Sequence, residues 1–492
     1  MKPSLRFHVA TLTVLLLSLA APVAAPAQVF TSLASFDVAN GDDPEFSFLV
    51  QGLDGNFHGT TPRGGANSDS NCNLFTYLCG TLFKVTPEGK LTVLHNFCDQ
   101  PFCAVDGDGP FEGLVLATDE NFYGTTSFGG ADNSGIAFRI SSTGWLVQLH
   151  SFCSETNCAD GGGPSALIQA TDGNFYGTTS SGGAYNYGTI FRLAPQGKLT
   201  TLYSFCAQAS CPDGQIPGQG GLVQATDGNF YGTTYAGGEF NSGTAFKITP
   251  SGVFTLIYSF CSVLRIHCND GEYPNNPLIQ GSDGNFYGTA MSGGVRNNGM
   301  IFQLTPTGTL TTLHSLEYGD GQQPFGPLVQ GSDGNFYGMT NFGGYYDYGT
   351  IFEITSEAVF TVLQNFEQLY GAYPYGGLVQ GTDGTFYGAT SGGGSSSKCG
   401  SEGCGTIFSL NTGLGPFISA LPTSGEVGSK VILLGNNLVG STAVTFNGTA
   451  ATFRVVSPTE IRTTVPTGAT TGKVQVTTPG GTLTSNVVFR VR

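Results

Sequence analysis

Residues 328–366 read LVQGSDGNFYGMTNFGGYYDYGTIFEITSEAVFTVLQNF, and the fold follows from this stretch. It holds four short segments in which apolar and polar residues alternate: Leu328 to Gln330, Asn335 to Thr340, Gly349 to Thr355 and Val359 to Phe366. Alternation with a period of two marks a strand with one face buried, and the Gly, Asp and Asn between the segments are turn formers. Asp333-Gly334 suits a tight hairpin, because Gly takes positive φ without steric cost. Four strands joined in this way make one antiparallel meander.

The central phrase of the stretch returns along the chain. It reads NFHGTT from Asn56, NFYGTT from Asn121, Asn174 and Asn229, NFYGTA from Asn285, NFYGMT from Asn335 and TFYGAT from Thr385. A full unit surrounds this phrase with an apolar stretch, a DG turn, a GG loop, a GTIF-type strand and an LTTLYSF-type strand. Seven four-stranded units predict an all-β fold, a seven-bladed β-propeller in which each sheet buries both faces against its neighbours. After Gly405 to Leu410 the seventh unit runs into Asn411-Thr412-Gly413 and has no LTTLYSF strand of its own. Phe30 to Phe36 has that pattern, so the N-terminal segment is expected to close the ring as the outer strand beside Gly405 to Leu410.

The chain begins with Lys2 and Arg6, an apolar run from Val9 to Ala20 and the small residues Ala25-Pro26-Ala27, a pattern that predicts a signal peptide over 1–27. Its apolar run is shorter than a membrane span, and no comparable run follows, so membrane insertion is not expected. The chain carries 18 Lys and Arg against 34 Asp and Glu, a formal net charge of −16. That balance repels phosphate backbones, so nucleic acid is not an expected partner. With 75 Gly and 12% aromatic residues, the composition suits short strands and many tight turns.

On these phrases, residues 30–410 resemble the GloVer-type tandem repeats of bacterial exported proteins, which implies export and a variable C-terminal attachment rather than an activity. Residues 415–492 leave the repeat and resemble the IPT/TIG immunoglobulin-like fold, through Pro416-Phe417-Ile418, VILLGNNL from Val431, VTFNGTAA from Val444 and VPTGATTGKVQVTTPGG from Val465. The implied organisation is a signal peptide (1–27), a propeller (28–411), a linker (412–415) and an immunoglobulin-like β-sandwich (416–492).

The twelve Cys form six local pairs: Cys72 with Cys79, Cys98 with Cys103, Cys153 with Cys158, Cys206 with Cys211, Cys261 with Cys268, and Cys399 with Cys404. Their presence or absence by pairs, in an exported chain, predicts loop-closing disulfides. Zinc is disfavoured, because the pairs lie on different units without matching His. In a meander the DG and TPxG turns share one face of the ring. The GG loops, the Asp-Gly-x-x-Pro loops and the Cys pairs share the other, and the C-terminal segment leaves from the short-turn face.

The GG loops keep one frame and change their tips. Tyr185, Asn186, Tyr187, Phe240, Arg296, Tyr345, Tyr346, Asp347 and Tyr348 are the candidate ligand-binding residues, since rings stack on sugars or peptides and amides supply directed hydrogen bonds; packing on adjacent loops is the plainer role. Asp106, Asp160, Asp213, Asp270 and Asp320 recur in Asp-Gly-x-x-Pro, turn chemistry that also admits a calcium site if the carboxylates converge near the channel. His95, His150 and His314 share their strand position with Tyr203, Tyr258 and Gln364, which suits a structural role. His58 and His267 stand without a nucleophile or paired acid, and no catalytic motif, metal centre or cofactor is expected. The expectation is a secreted or cell-surface, monomeric binding or adhesion protein for a glycan or surface protein. A polysaccharide-active hydrolase or lyase and a structural envelope component are the alternatives.

Overall fold

The computed structural model describes residues 28–45, 48–66, 79–99, 103–218, 221–263 and 268–492. The leader assigned to 1–27, Cys72 and His267 lie outside them. The described chain is all-β, with helix confined to short 3-10 turns such as Thr156–Cys158.

The quoted stretch forms one antiparallel sheet in chain order: Val329–Gln330, Phe336–Thr340, Thr350–Ile354 and Phe360–Asn365. The second strand is buried throughout and the third nearly so, as befits a sheet covered on both sides. The Gly of NFYG is required by packing: a Cβ on Gly338 would lie 2.5 Å from Cζ of Phe352. The Thr of GTIF meets the second strand, with Thr340 and Thr350 hydroxyls 2.9 Å apart and buried. Among the described residues, seven sheets share this plan. In two of them a fifth strand, Gly162–Pro164 or Gln215–Pro217, pairs with a second strand two residues longer than usual, so the inner edge is split rather than single.

The sheets contact one another in a cycle. Tyr of one NFYG strand stacks on Phe of the next: Tyr123 on Phe175, Tyr176 on Phe230, Tyr231 on Phe286, Tyr287 on Phe336 and Tyr337 on Phe386, with ring centroids 3.9–4.2 Å apart. Tyr387 of the last sheet stacks on Phe57 of the first at 4.0 Å, and His58 on Phe122 at 4.4 Å, which returns the series to its start. Offset aromatic pairs at this spacing contribute roughly 0.5–1.5 kcal/mol each beyond their burial. A second series runs through the inner strands, where a Gln side chain accepts a backbone amide at the DG turn of the preceding sheet: Ser332 N donates to Gln380 Oε1 at 2.9 Å, and Thr382 N to Gln51 Oε1 at 3.0 Å. The N-terminal strand Val29–Ser35 pairs antiparallel with Thr406–Asn411, with Phe30 opposite Leu410, and so supplies the outer strand of the last sheet.

Residues beyond 416 form two further four-stranded sheets facing one core. Val431, Leu433 and Ile461 come from one sheet, and Val444, Phe446, Val474 and Val476 from the other. This unit sits on the DG-turn face. Phe417 N donates to Thr382 O at 3.0 Å, Thr459 Oγ1 to Leu53 O at 2.7 Å, and Arg462 pairs with Glu120 at 2.8 Å. Its Leu421 and Leu434 join a cluster with Leu53 and Leu116. Leu116 stands where six sheets have the bridging Gln, and Leu53 where six have Thr or Ser. The polar series is therefore interrupted at the place where an apolar dock is needed.

Candidate functional site

Opposite the C-terminal unit, the GG loops are built alike. Gly343 and Gly344 both have φ of 75°, and a Cβ on Gly343 would come within 2.9 Å of Gly321 Cα. The loop then closes on itself: the Asp347 carboxylate accepts from Gly343 N at 2.9 Å, and Asn186 does the same for Gly182 N at 3.2 Å. Asn133, Asn241 and Asn297 repeat the contact in other sheets. Asn186 and Asp347 thus have a side-chain oxygen engaged in the frame.

The tips that this frame carries are open to solvent. Tyr345 is 81% exposed and stands nearly perpendicular to Tyr346 at 4.8 Å, while Tyr185, Tyr187 and Phe240 are also exposed. The exposed Arg296 lies 3.9 Å from Glu317. Tyr348 is half-buried, donates to Gln368 Oε1 at 3.3 Å and packs beside Tyr373. The face presents amphipathic rings on backbone held by hydrogen bonds, which limits the entropy lost on ligand contact.

The Asp-Gly-x-x-Pro carboxylates are taken up by hydrogen bonds and ion pairs inside their own units. Each is engaged within its own unit by the outermost strand: His95 lies 3.4 Å from Asp106, His150 3.0 Å from Asp160 and His314 2.8 Å from Asp320. Tyr203 and Tyr258 donate to Asp213 and Asp270 at 2.7 Å. Loop amides add to this, as from Ser154 and Glu155 to Asp160. The shared position of His and Tyr is thus a lock between outer strand and loop. The disulfides Cys98–Cys103, Cys153–Cys158, Cys206–Cys211, Cys261–Cys268 and Cys399–Cys404 staple loops on the same face. The two tight His, Cys and acid groups among the described residues, Asp42 with Cys399 and Cys404 and Glu272 with Cys261 and Cys268, contain these oxidised cysteines and so lack thiolate ligands.

A cleft of about 500 Å³ opens on this face, lined by Glu45, Arg63, Phe111, Glu112 and Ser165 among others. Glu112 is 6% exposed, and its Oε2 has no partner among the described residues. Burial pushes its carboxyl well above the ordinary range, against a hydrogen bond from the Ala166 amide. Burial also raises Glu45, and burial together with the neighbouring Glu45 charge takes Asp43 up to about 7 despite Arg63 at 3.1 Å. A carboxyl kept neutral at pH 7 donates a hydrogen bond or a proton. Sequence reasoning passed over Glu112. Its carbonyl accepts from Thr60 as those of Ser165 and Asn276 accept from Thr125 and Thr233, so it is the acid in a position where those sheets carry a neutral residue.

The family model of the Gloeobacter/Verrucomicrobia repeat matches residues 71–266 and 262–455. No curated protein sequence matches the chain. Among solved structures, the extracellular domain of a hybrid two-component system from B. thetaiotaomicron is similar at 11% identity and a TM-score of 0.50, covering 95% of this chain and 59% of that one. A gluconolactonase from Xanthomonas campestris is similar at 10% identity and a TM-score of 0.37, covering 76% and 88%. A further protein of gluconolactonase type is 12% identical with a TM-score of 0.38, covering 80% and 94%. At these identities the likeness concerns the fold alone.

Proposed function

Because this chain belongs to the Gloeobacter/Verrucomicrobia repeat family, whose repeated phrase builds the sheets described above, we propose that it is an exported binding protein that takes a glycan or surface protein on its long-loop face. In this reading the sheets are the blades of a seven-bladed ring over residues 28–411, closed by the N-terminal strand. The cycle of aromatic contacts supports that count. Residues 416–492 are an immunoglobulin-like domain of IPT/TIG type on the opposite face, a reading supported by its two-sheet core. The five disulfides fit an oxidising, extracytoplasmic compartment, and no described helix is long and apolar enough to cross a membrane.

The observation that carries the binding role is the pair of Tyr-tipped loops, Tyr185 with Tyr187 and Tyr345 with Tyr346, whose rings are exposed while the repeated NFYG tyrosines are buried. A glycan array run beside an assay for released reducing ends tests it. Retention of a glycan without new reducing ends is the expected result. Glu112 favours a second reading, polysaccharide hydrolysis with Glu112 as proton donor, since a buried carboxyl with one oxygen left without a partner among the described residues borders the cleft. Reducing-end release that Glu112→Gln abolishes, in a variant that still melts like the parent, would replace the binding role with this one.

A further inference from the structure

The charge of the chain is divided unevenly. Residues 416–492 hold six of the 18 Lys and Arg, namely Lys430, Arg454, Arg462, Lys473, Arg490 and Arg492, but only Glu426 and Glu460 of the 34 acids. All six basic residues line one cavity of about 1570 Å³ between the C-terminal sandwich and the DG-turn face. Contacts to the repeat sheets or within the C-terminal unit itself account for part of them. Arg462 lies between Glu120 at 2.8 Å and Glu460 at 2.6 Å, Arg492 donates to Thr171 O at 3.2 Å, and Lys473 to Asn486 O at 2.6 Å. Lys430, Arg454 and Arg490 make no ion pair with the described residues.

We propose that this cavity is a second binding site, for a segment of acidic, uronate-bearing polysaccharide. Three observations select that class. The volume exceeds the roughly 300–1,000 Å³ of an ordinary small-molecule pocket, so it suits an oligomer. The ceiling is basic, but the floor presents Thr118, Thr226, Ser282, Glu120 and Asp283, which suits a chain with spaced carboxylates and many hydroxyls rather than a phosphate on every unit. Among the described residues Phe453 is the one aromatic lining the cavity, so there is no row of rings on which bases stack. Burial pulls Arg490 and Lys473 below their ordinary range, for Arg490 against the opposing Asp227 charge, as expected of cations held partly out of water.

The site lies opposite the Tyr-tipped loops, so the two are separable by substitution. Affinity electrophoresis of the whole chain against oligogalacturonate, a neutral cello-oligomer of equal length, inorganic phosphate and single-stranded DNA tests the assignment. Oligogalacturonate is expected to bind at low salt and weaken as salt rises, with no effect of the neutral oligomer. Lys430→Glu with Arg454→Glu should weaken it at least tenfold, while Tyr185→Ala with Tyr345→Ala leaves it unchanged. Lys430→Gln with Arg454→Gln, milder for the fold, should weaken it severalfold at an unchanged melting temperature. Unaltered binding by the Gln pair overturns the site, as does DNA binding of equal strength or displacement by inorganic phosphate alone.

Discussion

Replacing His58 with Tyr changes how stability depends on pH. In six sheets this position is a Tyr whose hydroxyl donates to the Asp of the turn before it at 2.8–2.9 Å. In the first sheet His58 is 1% exposed, and neither ring nitrogen has a partner among the described residues. Burial, opposed by the Asp54 charge, lowers its pKa from 6.5 to about 4. The unfolded chain takes up a proton as pH falls through about 6.5, and the folded chain does so only near 4, so this residue subtracts stability across that window. At about 1.36 kcal/mol per pKa unit, the loss reaches about 3 kcal/mol at pH 4 and is absent at pH 7.5. His58→Tyr removes the titration and restores the hydroxyl donor to Asp54. Urea unfolding of both proteins at pH 7.5 and 4.5 should show the variant at least as stable at the higher pH, with an added advantage of about 2–3 kcal/mol at the lower one. Parallel pH profiles for the two proteins would refute the reasoning.

Three other outcomes follow from the packing. Deleting residues 28–37 uncovers the outer edge of the last sheet and removes the stacking of Phe30 on Phe408 at 5.5 Å, so the melting temperature should fall sharply; calorimetry of the truncated chain decides. Peptide mapping without reduction should return the five disulfides described and a sixth between Cys72 and Cys79, with no linkage between loops of different sheets. Leu434→Asp buries a charge against Leu53 and Leu116, which should release the C-terminal unit and expose residues 412–415 to limited proteolysis while the ring remains resistant.

Much of the fold was legible because each residue of the repeated phrase has one local duty. Gly338 is required by the ring of Phe352, Thr340 by Thr350, and Asp333 by Tyr337; the Thr pair recurs in five of the described sheets and the Tyr–Asp bond in six. The outer-strand position read as structural because His, Tyr and Gln share it, and in the structure His150 and Tyr203 each reach the equivalent Asp of their own loop, Asp160 and Asp213. What the sequence did not disclose depends on which units face one another. Leu53 and Leu116 look like unremarkable apolar residues until two departures from the repeat are seen to lie under Leu434. Glu112 was hidden because the number of residues between Pro and the inner strand varies between sheets, so its equivalence to Ser165 and Asn276 becomes visible only through the Thr hydrogen bonds. Asn186 and Asp347 read as contact groups because the αL turn they close leaves no signature distinct from a polar tip.

The claim that the long-loop face is the contact surface is tested most directly by equilibrium binding of a glycan retained on the array. The whole chain should be compared with a variant carrying Tyr185→Ala, Tyr187→Ala, Tyr345→Ala and Tyr346→Ala. These four rings are exposed, so the variant should melt within a few degrees of the parent. The account predicts that its affinity falls at least tenfold. Unchanged affinity in a folded variant would contradict it.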